Sequence, residues 1–283
     1  LAGHNAAERV EPASLTKLMT AYLTFSALKQ KQIQPAQNAP VSERAWKAEG
    51  SRMFIEPKIP VTVEELMRGM IVQSGNDACI ALSELIAGSE EAFAQTMNTQ
   101  AQRLGMKNTS FMNSTGLPDP RHYSTAQDLA LLAIAIVREF PEYHPLYAMK
   151  EYRYNNITQA NRNRLLWSDP TVDGMKTGYT ENAGYCLITS AKRGERRLIS
   201  VVLGAASESA RAVESQKLLN YGFQYYDSVK LYEKNQPVAS LPIWKGSGNR
   251  VNAGFLNDLY VSLPKGQADK VKASLESRQP LLA

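Results

Sequence analysis

The chain has 283 residues, of which 43% are hydrophobic and 21% charged, a composition typical of a globular protein with a sizeable core. Its formal net charge is +5, but no Lys/Arg tract with interleaved aromatic residues occurs, which argues against nucleic acid as a partner. No run reaches the ~18 apolar residues of a transmembrane helix. The length favours one large domain followed by a smaller one.

Five helices are predicted in the first half of the chain. Pro12 suits a first helical turn, where its missing N–H costs little, and Ser89 and Gly105 are cap and stop signals. Ser124 and Gln127 form a capping box. With the apolar periodicity, these signals place helices at residues 15–31, 62–72, 78–87, 89–104 and from 124 to about 140. The 78–87 helix is almost wholly apolar, so we expect it at the buried centre.

Three strands and a last helix follow an irregular stretch of strand and loop at residues 152–166. The strands are predicted at 172–179, 185–191 and 197–203, the last two joined by a hairpin turn at Arg193-Gly194-Glu195, and the helix at 209–225. Near Asp227 the pattern changes to short alternating runs broken by Pro and Gly. We therefore predict two domains, 1–226 and 227–283, the second β-rich.

Two common kinds of site have poor support in this sequence. Cys79 and Cys186 both lie in apolar runs without metal-ligand spacing, so we expect two buried free thiols. The histidines lie near neither a Gly-x-Ser-x-Gly elbow nor a His-Glu-x-x-His helix, and there are only three of them: His4, His122 and His144. A Ser–His triad and a zinc site are thus disfavoured, and no metal or cofactor is predicted.

Three short motifs stand in a fixed order along the chain. They are Ser14-Leu15-Thr16-Lys17 at a helix start, Ser74-Gly75-Asn76 in a sharp break, and Lys176-Thr177-Gly178 on a strand. Singly each is commonplace, since a serine caps helices or turns and a lysine is often exposed on a strand. Their joint occurrence on a helix start, a loop and a strand is unlikely to be chance.

The residue types fit acyl transfer by a serine. Ser14 and Lys17 lie on one helix face, so Lys17, if desolvated beside a second ammonium, has a lowered pKa and can take the Ser14 proton. Ser74 is predicted to pass a proton to a leaving nitrogen. Asn76 is predicted to hold Lys17 or the substrate amide.

The third motif fits the binding of a substrate. Lys176 and Thr177 offer a cation and a hydroxyl to a carboxylate, and Gly178 lets a substrate backbone lie against the strand. The backbone N–H groups of Ser14 and Tyr179 are the predicted oxyanion hole, because the first helical turn leaves N–H groups unpaired.

With these motifs the chain resembles, over nearly its whole length, the low-molecular-mass penicillin-binding proteins of the serine D,D-carboxypeptidase type (peptidase S11-like). The segments that carry the resemblance are residues 12–20, 68–78, 104–109, 161–163, 173–180 and 183–185. It implies that Arg211 helps to bind the terminal carboxylate of the substrate, and that Arg162 is a second substrate-binding arginine.

The resemblance implies an α+β fold. A β-lactamase/transpeptidase-like domain, with a five-stranded antiparallel sheet flanked by helices and a helical subdomain, would precede a small all-β domain. It also implies an enzyme that removes the last D-alanine from peptidoglycan pentapeptide stems. β-Lactam antibiotics would acylate its serine.

Some features depart from the family pattern or concern the ends of the chain. Position 179 is Tyr where many relatives have His, which leaves a backbone role intact but not a side-chain role. The segment before the serine helix, the rest of the β-domain and an amphipathic membrane-anchoring tail are expected to be missing, so the sheet would have an open edge. The implied location is the periplasm, peripheral to the inner membrane, with a signal peptide on the precursor.

Three other functions remain possible at this point. A class A-like β-lactamase needs a glutamate to activate the deacylating water, and the stretch after Leu104 offers no acid followed by the expected asparagine. A D,D-endopeptidase differs only in substrate reach. A non-catalytic peptidoglycan-binding protein would not need the complete set of Ser14, Lys17 and Lys176.

Overall fold

The computed structural model describes residues 1–246, 248–277 and 281–282. It divides into two units, Gly3–Leu219 and Leu1–Ala2 with Asn220–Ala283. The predicted domain boundary at 226/227 lies beyond this division, where the last helix ends, and stays a prediction.

Eight α-helices are found among the described residues. They are α1 (Lys17–Lys29), α2 (Glu43–Trp46), α3 (Val63–Val72), α4 (Asn76–Ala87), α5 (Glu90–Arg103), α6 (Ala126–Glu139), α7 (Leu165–Ser168) and α8 (Glu208–Tyr225). The strands are β1 (Asn38–Ala39), β2 (Val61–Thr62), β3 (Glu151–Tyr154), β4 (Ile157–Ala160), β5 (Val172–Thr180), β6 (Gly184–Arg193), β7 (Arg196–Ala205), β8 (Tyr226–Tyr232), β9 (Pro237–Trp244), β10 (Arg250–Gly254), β11 (Leu259–Pro264) and β12 (Leu281–Leu282).

The predicted helices are all present, and one of their caps differs. Ser89 caps α5 as expected, by accepting from the N–H of Ala92. At α6 the cap is Thr125, whose side chain accepts from the N–H of Asp128, and not Ser124. The Ser124 hydroxyl lies instead 2.8 Å from that of Thr109, so the predicted capping box was wrong by one position.

The core of the larger unit lies around α1 and α4. In α1 nearly every side chain from Lys17 to Leu28 is buried, and in α4 every residue from Asn76 to Ser83. A helix buried on all faces needs apolar neighbours on all sides, which α3, α5 and α6 help to supply. Cys79 on α4 and Cys186 on β6 are buried free thiols, as predicted.

The main sheet has the order β5-β6-β7 and is antiparallel throughout. The β6–β7 hairpin turns at Gly194, whose φ of +58° lies in the left-handed region that glycine tolerates. Thus the three predicted strands and their turn are confirmed.

The number of strands in this sheet is a correction to the implied five-stranded sheet. Within the described residues the sheet has three strands. The residues before Ala13 form only a single bridge, between Val10 and Ser124, and β8 pairs with β11 within the smaller unit. The α+β class itself is confirmed.

The smaller unit is built from β-strands after α8. β8 pairs with β11, and β9 lies between β10 and β12. Burial alternates along β9 and β11, the period expected of strands with one covered face. None of the described helices is long and apolar enough to cross a membrane.

Candidate active site

Ser14 lies in a tight turn immediately before α1. The turn is a 3-10 helix, Ala13–Thr16, and Ala13 has a φ of +47°, a sparsely populated region for alanine. Strand β5 packs against it: a Cβ on Gly178 would lie 3.2 Å from both the Ala13 Cβ and the Pro12 carbonyl oxygen. Gly178 therefore lets the strand approach the turn that carries Ser14. This explains the glycine more directly than the predicted room for a substrate backbone.

Lys17 is buried at the first position of α1, with 1% of its surface exposed. Its Nζ donates to the Ser14 Oγ at 3.0 Å, to the Asn76 Oδ1 at 2.7 Å and to the Thr115 carbonyl oxygen at 2.7 Å. All three hydrogens of the ammonium are thus used. A neutral amine has two hydrogens and a lone pair, so on deprotonation one of these contacts must reverse, and only the Ser14 hydroxyl can donate.

The environment of Lys17 favours the neutral amine. Burial, above all, and the nearby cation of Arg162 lower its pKa from 10.5 to about 8, against the opposing charges of Asp77 and Glu90. At neutral pH the ammonium is thus much easier to deprotonate than that of an exposed lysine.

Ser74 lies in the break between α3 and α4, with a left-handed backbone (φ +61°). The buried Lys176 Nζ donates to the Ser74 Oγ at 2.9 Å and to the Thr177 carbonyl oxygen at 3.0 Å. Burial, followed by the charges of Lys17 and Arg162, holds the pKa of Lys176 well below its usual value. Lys17 of the first motif thus contacts Asn76 of the second, and Lys176 of the third motif contacts Ser74 of the second.

Asn76 is held by the loop at residues 49–55. Its Nδ2 donates to the Glu49 carbonyl oxygen and its backbone N–H to the Ser51 carbonyl oxygen, both at 2.6 Å. With these donors fixed, Oδ1 is directed at Lys17.

The remaining predicted residues surround this centre. Thr177 is buried on β5, while Tyr179 is 51% exposed and packs against Tyr185, with ring centroids 4.4 Å apart and ring planes tilted by 35°. Arg211 on α8 is 3% exposed and donates from Nη1 to the Gly178 carbonyl oxygen at 3.3 Å. Arg162 is exposed and donates to the Ser51 Oγ at 2.9 Å.

Comparison with known proteins identifies the family. Residues 1–207 match the D-alanyl-D-alanine carboxypeptidase family, peptidase S11, and residues 226–283 match the penicillin-binding protein 5 C-terminal domain. The chain belongs to the D-alanyl-D-alanine carboxypeptidase family. Its members are serine hydrolases, so the predicted family and enzyme class are confirmed.

One relative and two solved structures illustrate the relationship. The chain is 44% identical to the D-alanyl-D-alanine carboxypeptidase DacC of Escherichia coli K12, with 100% of this chain and 72% of that protein covered. It superimposes on penicillin-binding protein 5 of Haemophilus influenzae with a TM-score of 0.93 and 42% identity, over 100% of this chain and 84% of that one. Penicillin-binding protein D2 of Listeria monocytogenes, solved in an ampicillin-bound form, gives 0.71 and 32%, over 78% and 90% of the two chains.

Two parts of this carboxypeptidase site were not predicted. The first is the Thr115 carbonyl, which accepts from Lys17. The side chain of residue 115 gives no sign of such a contact, because any residue supplies a backbone carbonyl. The one sequence feature that marks this contact is the glycine at position 116. Its φ is +86°, and a Cβ added there would lie 1.9 Å from the Ala13 carbonyl oxygen. A glycine there lets the loop touch the serine turn.

The second unpredicted part is the buried carboxylate of Asp77. It accepts from the backbone N–H groups of Met53 at 3.0 Å, Phe54 at 2.8 Å and Ile55 at 3.2 Å. These bonds hold the loop that orients Asn76, since the same loop provides the Ser51 carbonyl.

Asp77→Ala is expected to destabilise the fold by about 4 kcal/mol, because three backbone N–H groups, two of them buried, lose their acceptor at about 1–3 kcal/mol for each buried group. Urea unfolding followed by circular dichroism measures this. The control is Glu214→Ala, an exposed carboxylate on α8 paired with Lys217, which should change stability by less than about 0.5 kcal/mol. Equal stabilities of the two variants would contradict this role of Asp77.

Proposed function

We propose that this chain removes the terminal D-alanine from peptidoglycan pentapeptide stems through an acyl-enzyme on Ser14. The observation that carries this proposal is the 3.0 Å contact between the Lys17 Nζ and the Ser14 Oγ, in a buried position where the pKa of Lys17 falls to about 8. A hydroxyl becomes a useful nucleophile only when a base can take its proton.

Acylation begins with neutral Lys17. Its lone pair takes the Ser14 proton as Oγ attacks the carbonyl carbon of the penultimate D-alanine. We propose that the N–H groups of Ser14 and Tyr179 stabilise the resulting oxyanion. The C–N bond then breaks as Ser74 gives its hydroxyl proton to the departing amine of the last D-alanine. The proton that Lys17 took from Ser14 returns to Ser74, so that Lys17 is again neutral. The ester on Ser14 is later hydrolysed by water, which regenerates the hydroxyl and releases the shortened peptide.

The substrate's terminal carboxylate is matched by positive charge at the site. We assign its binding to Lys176, Thr177, Arg211 and, on the rim, Arg162. Buried Arg211 supports this assignment, because its Nη2 has no hydrogen-bond partner among the described residues and is 3.6 Å from the Glu208 Oε1. A buried donor that makes only a long ion pair and no hydrogen bond is costly unless a ligand uses it.

Arg211→Ala is expected to lower kcat/KM for a D-Ala-D-Ala peptide by about tenfold to a hundredfold, through the loss of a charge-assisted contact. Steady-state D-alanine release measures the change. The control is Arg138→Ala, an arginine with 75% of its side chain exposed, which should leave kcat/KM unchanged. An unchanged kcat/KM in Arg211→Ala would remove this residue from the binding site.

The acylation rate is expected to rise with pH. With a pKa of about 8 for Lys17, the neutral fraction grows from about a tenth at pH 7 to about nine tenths at pH 9. The second-order rate of labelling by a fluorescent penicillin should therefore increase about tenfold over this range, with a midpoint near 8. A rate that is flat or falling between pH 7 and 9 would be inconsistent with Lys17 as the base.

The overall proposal is tested with the purified chain and three substrates. We expect D-alanine release from a pentapeptide stem, and a penicilloyl mass increment on the tryptic peptide that contains Ser14. Rapid penicillin turnover without D-alanine release would favour a class A-like β-lactamase. Cleavage of cross-linked dimers alone would favour an endopeptidase, and neither activity nor adduct a non-catalytic peptidoglycan-binding protein.

We further propose that the protein acts in the periplasm at the outer face of the inner membrane. The support is the substrate itself, because peptidoglycan stems lie outside the cytoplasm. The membrane contact is assigned to a C-terminal amphipathic tail, and export to a signal peptide on the precursor. Fractionation of cells that produce the full-length gene product tests both parts, and recovery in the cytosolic fraction would contradict them.

A further inference from the structure

A buried carboxylate that belongs to none of the three motifs lies behind Lys17. Glu90 opens α5, and only 5% of its side chain is exposed. Its Oε1 accepts from the backbone N–H of Ser114 at 3.0 Å and from the Ser114 Oγ at 2.6 Å. Its Oε2 accepts from the Arg44 Nη2 at 2.6 Å. Within the part of the chain that the structure describes, the hydrogen bonds of this carboxylate thus go to α2 and to the loop around residue 114.

That loop provides one of the acceptors of Lys17. The Ser114 carbonyl oxygen accepts from the Thr20 Oγ1 of α1 at 2.6 Å, and the next carbonyl, that of Thr115, accepts from the Lys17 Nζ at 2.7 Å. Asn113 closes the turn, because its Oδ1 accepts from the N–H of Gly116 at 2.7 Å. Glu90 therefore holds the residue adjacent to the lysine's acceptor.

We propose that Glu90 is a positioning residue for the catalytic lysine: its carboxylate fixes the 113–117 loop so that the Thr115 carbonyl directs the Lys17 amine towards Ser14. This inference rests on the proposed role of Lys17 as the base that deprotonates Ser14.

The geometry gives the loop a defined task. The nitrogen of neutral Lys17 is tetrahedral: it carries the bond to Cε, two N–H bonds and a lone pair. If its two hydrogens go to the Asn76 Oδ1 and the Thr115 carbonyl oxygen, the lone pair is left facing the Ser14 Oγ. If the Thr115 carbonyl moves away, the amine can rotate about its Cε–Nζ bond, and its lone pair is no longer held facing the Ser14 Oγ. A displacement of this kind near reacting atoms reduces rates strongly.

The charge of Glu90 also affects Lys17. The ionisable groups that influence this lysine are Cys79 and Asp77 from α4, Glu90 from α5, Lys176 from β5, and Arg162. The negative charge of Glu90 raises the pKa of Lys17, and a neutral side chain at residue 90 removes that contribution. Loss of the charge must therefore move the titration of Lys17 to lower pH.

The test is Glu90→Gln, measured in two ways. The pH dependence of labelling by a fluorescent penicillin should show about tenfold slower acylation at its plateau and an ascending limb displaced to lower pH. The pKa of Lys17 followed by NMR with 13Cε-lysine, assigned from the signal lost in Lys17→Arg, should fall as well. The NMR measurement does not depend on activity. If wild type is not labelled, the proposed function fails, while the effect of Glu90 on Lys17 is still tested.

The matched control is Glu91→Gln. Glu91 is the next residue, pairs with the same Arg44 and has 67% of its side chain exposed, so rate and midpoint should equal those of wild type. A purely structural role of Glu90 would slow the reaction without moving the midpoint. An unmoved midpoint, or a rate equal to that of Glu91→Gln, would overturn the proposal.

A second variant covers the case in which Glu90→Gln does not fold. Ser114→Ala removes one of the two bonds from the loop to Glu90 and keeps the carboxylate charge. We expect slower acylation with an unmoved midpoint, since the loop loosens while the electrostatics persist. Acylation of Ser114→Ala at the wild-type rate would show that the loop's attachment to Glu90 does not position Lys17.

Discussion

Ser14→Ala is expected to abolish covalent labelling by a fluorescent penicillin and to lower kcat for D-alanine release by at least about 10⁴-fold. The reason is that no other hydroxyl occupies its position: the Ser74 Oγ accepts from Lys176, whereas the Ser14 Oγ is the one in contact with Lys17. Gel fluorescence after incubation with the penicillin measures the label, and released D-alanine measures turnover.

The matched control for this serine is Ser26→Ala. Ser26 lies near the other end of α1 from Lys17, and its Oγ accepts from the Gln30 side chain at 2.9 Å instead of contacting any of the three motifs. Its loss should leave labelling intact. A label that persists in Ser14→Ala would contradict an acyl-enzyme on this residue, because it would require a different nucleophile.

Lys17→Ala is expected to reduce the second-order rate of acylation by about 10³-fold to 10⁴-fold at pH 7.5, the range of a lost general base. The Ser14 hydroxyl would keep its place but lose its proton acceptor. Stopped-flow or gel-based labelling measures the rate. Near-normal acylation at neutral pH would refute the base role of Lys17.

Lys17→Arg separates base catalysis from charge. Its guanidinium keeps a positive charge but does not deprotonate in proteins, so this variant is expected to be as inactive as Lys17→Ala.

The stability of the folded state also depends on the protonation of Lys17. Because the pKa falls from 10.5 in the unfolded chain to about 8 in the fold, the unfolded chain binds more protons between these values. The contribution of Lys17 to stability therefore increases as pH rises from 8 to 10.5, and both variants should lose that increase.

Motif spacing selected side chains that lie together in the structure, because acyl transfer restricts which residue types can act. Ser14, Lys17, Ser74, Asn76 and Lys176 were all named from sequence, and the structure brings them together by hydrogen bonds. The catalytic roles given to them remain proposals until the variants are measured.

Backbone contributions were not predictable in the same way. The Thr115 carbonyl acts through an atom that every residue carries, so residue identity does not identify it. Asp77 and Glu90 do not touch Lys17 but hold the loops that position its partners. A carboxylate in the first turn of a helix is common, so neither residue stands out in the sequence. Gly178 was predicted to make room for the substrate backbone. In the structure the absent side chain makes room for the turn that carries Ser14.

The sheet shows a second limit of sequence reasoning. Periodicity located β5, β6 and β7 to within one or two residues, because each has a covered face and a clear turn. The count of five strands was taken from the family and not from the residues. Among the described residues the edge strand β7 is mostly half-buried, with only Ser200 fully covered, as expected for an edge without a further strand.

The hydrogen bonds of Lys17 indicate when the active site assembles during folding. Its partners Asn76 and Thr115 are 59 and 98 residues away along the chain, and Lys176 and Ser74 are separated by 102. Contacts of such separation form late in folding, after the long loops between them have closed. A chain with its helices formed but these segments apart has no oriented base. Penicillin labelling during refolding should therefore count only molecules that have completed the fold, and lag behind the recovery of helical circular dichroism.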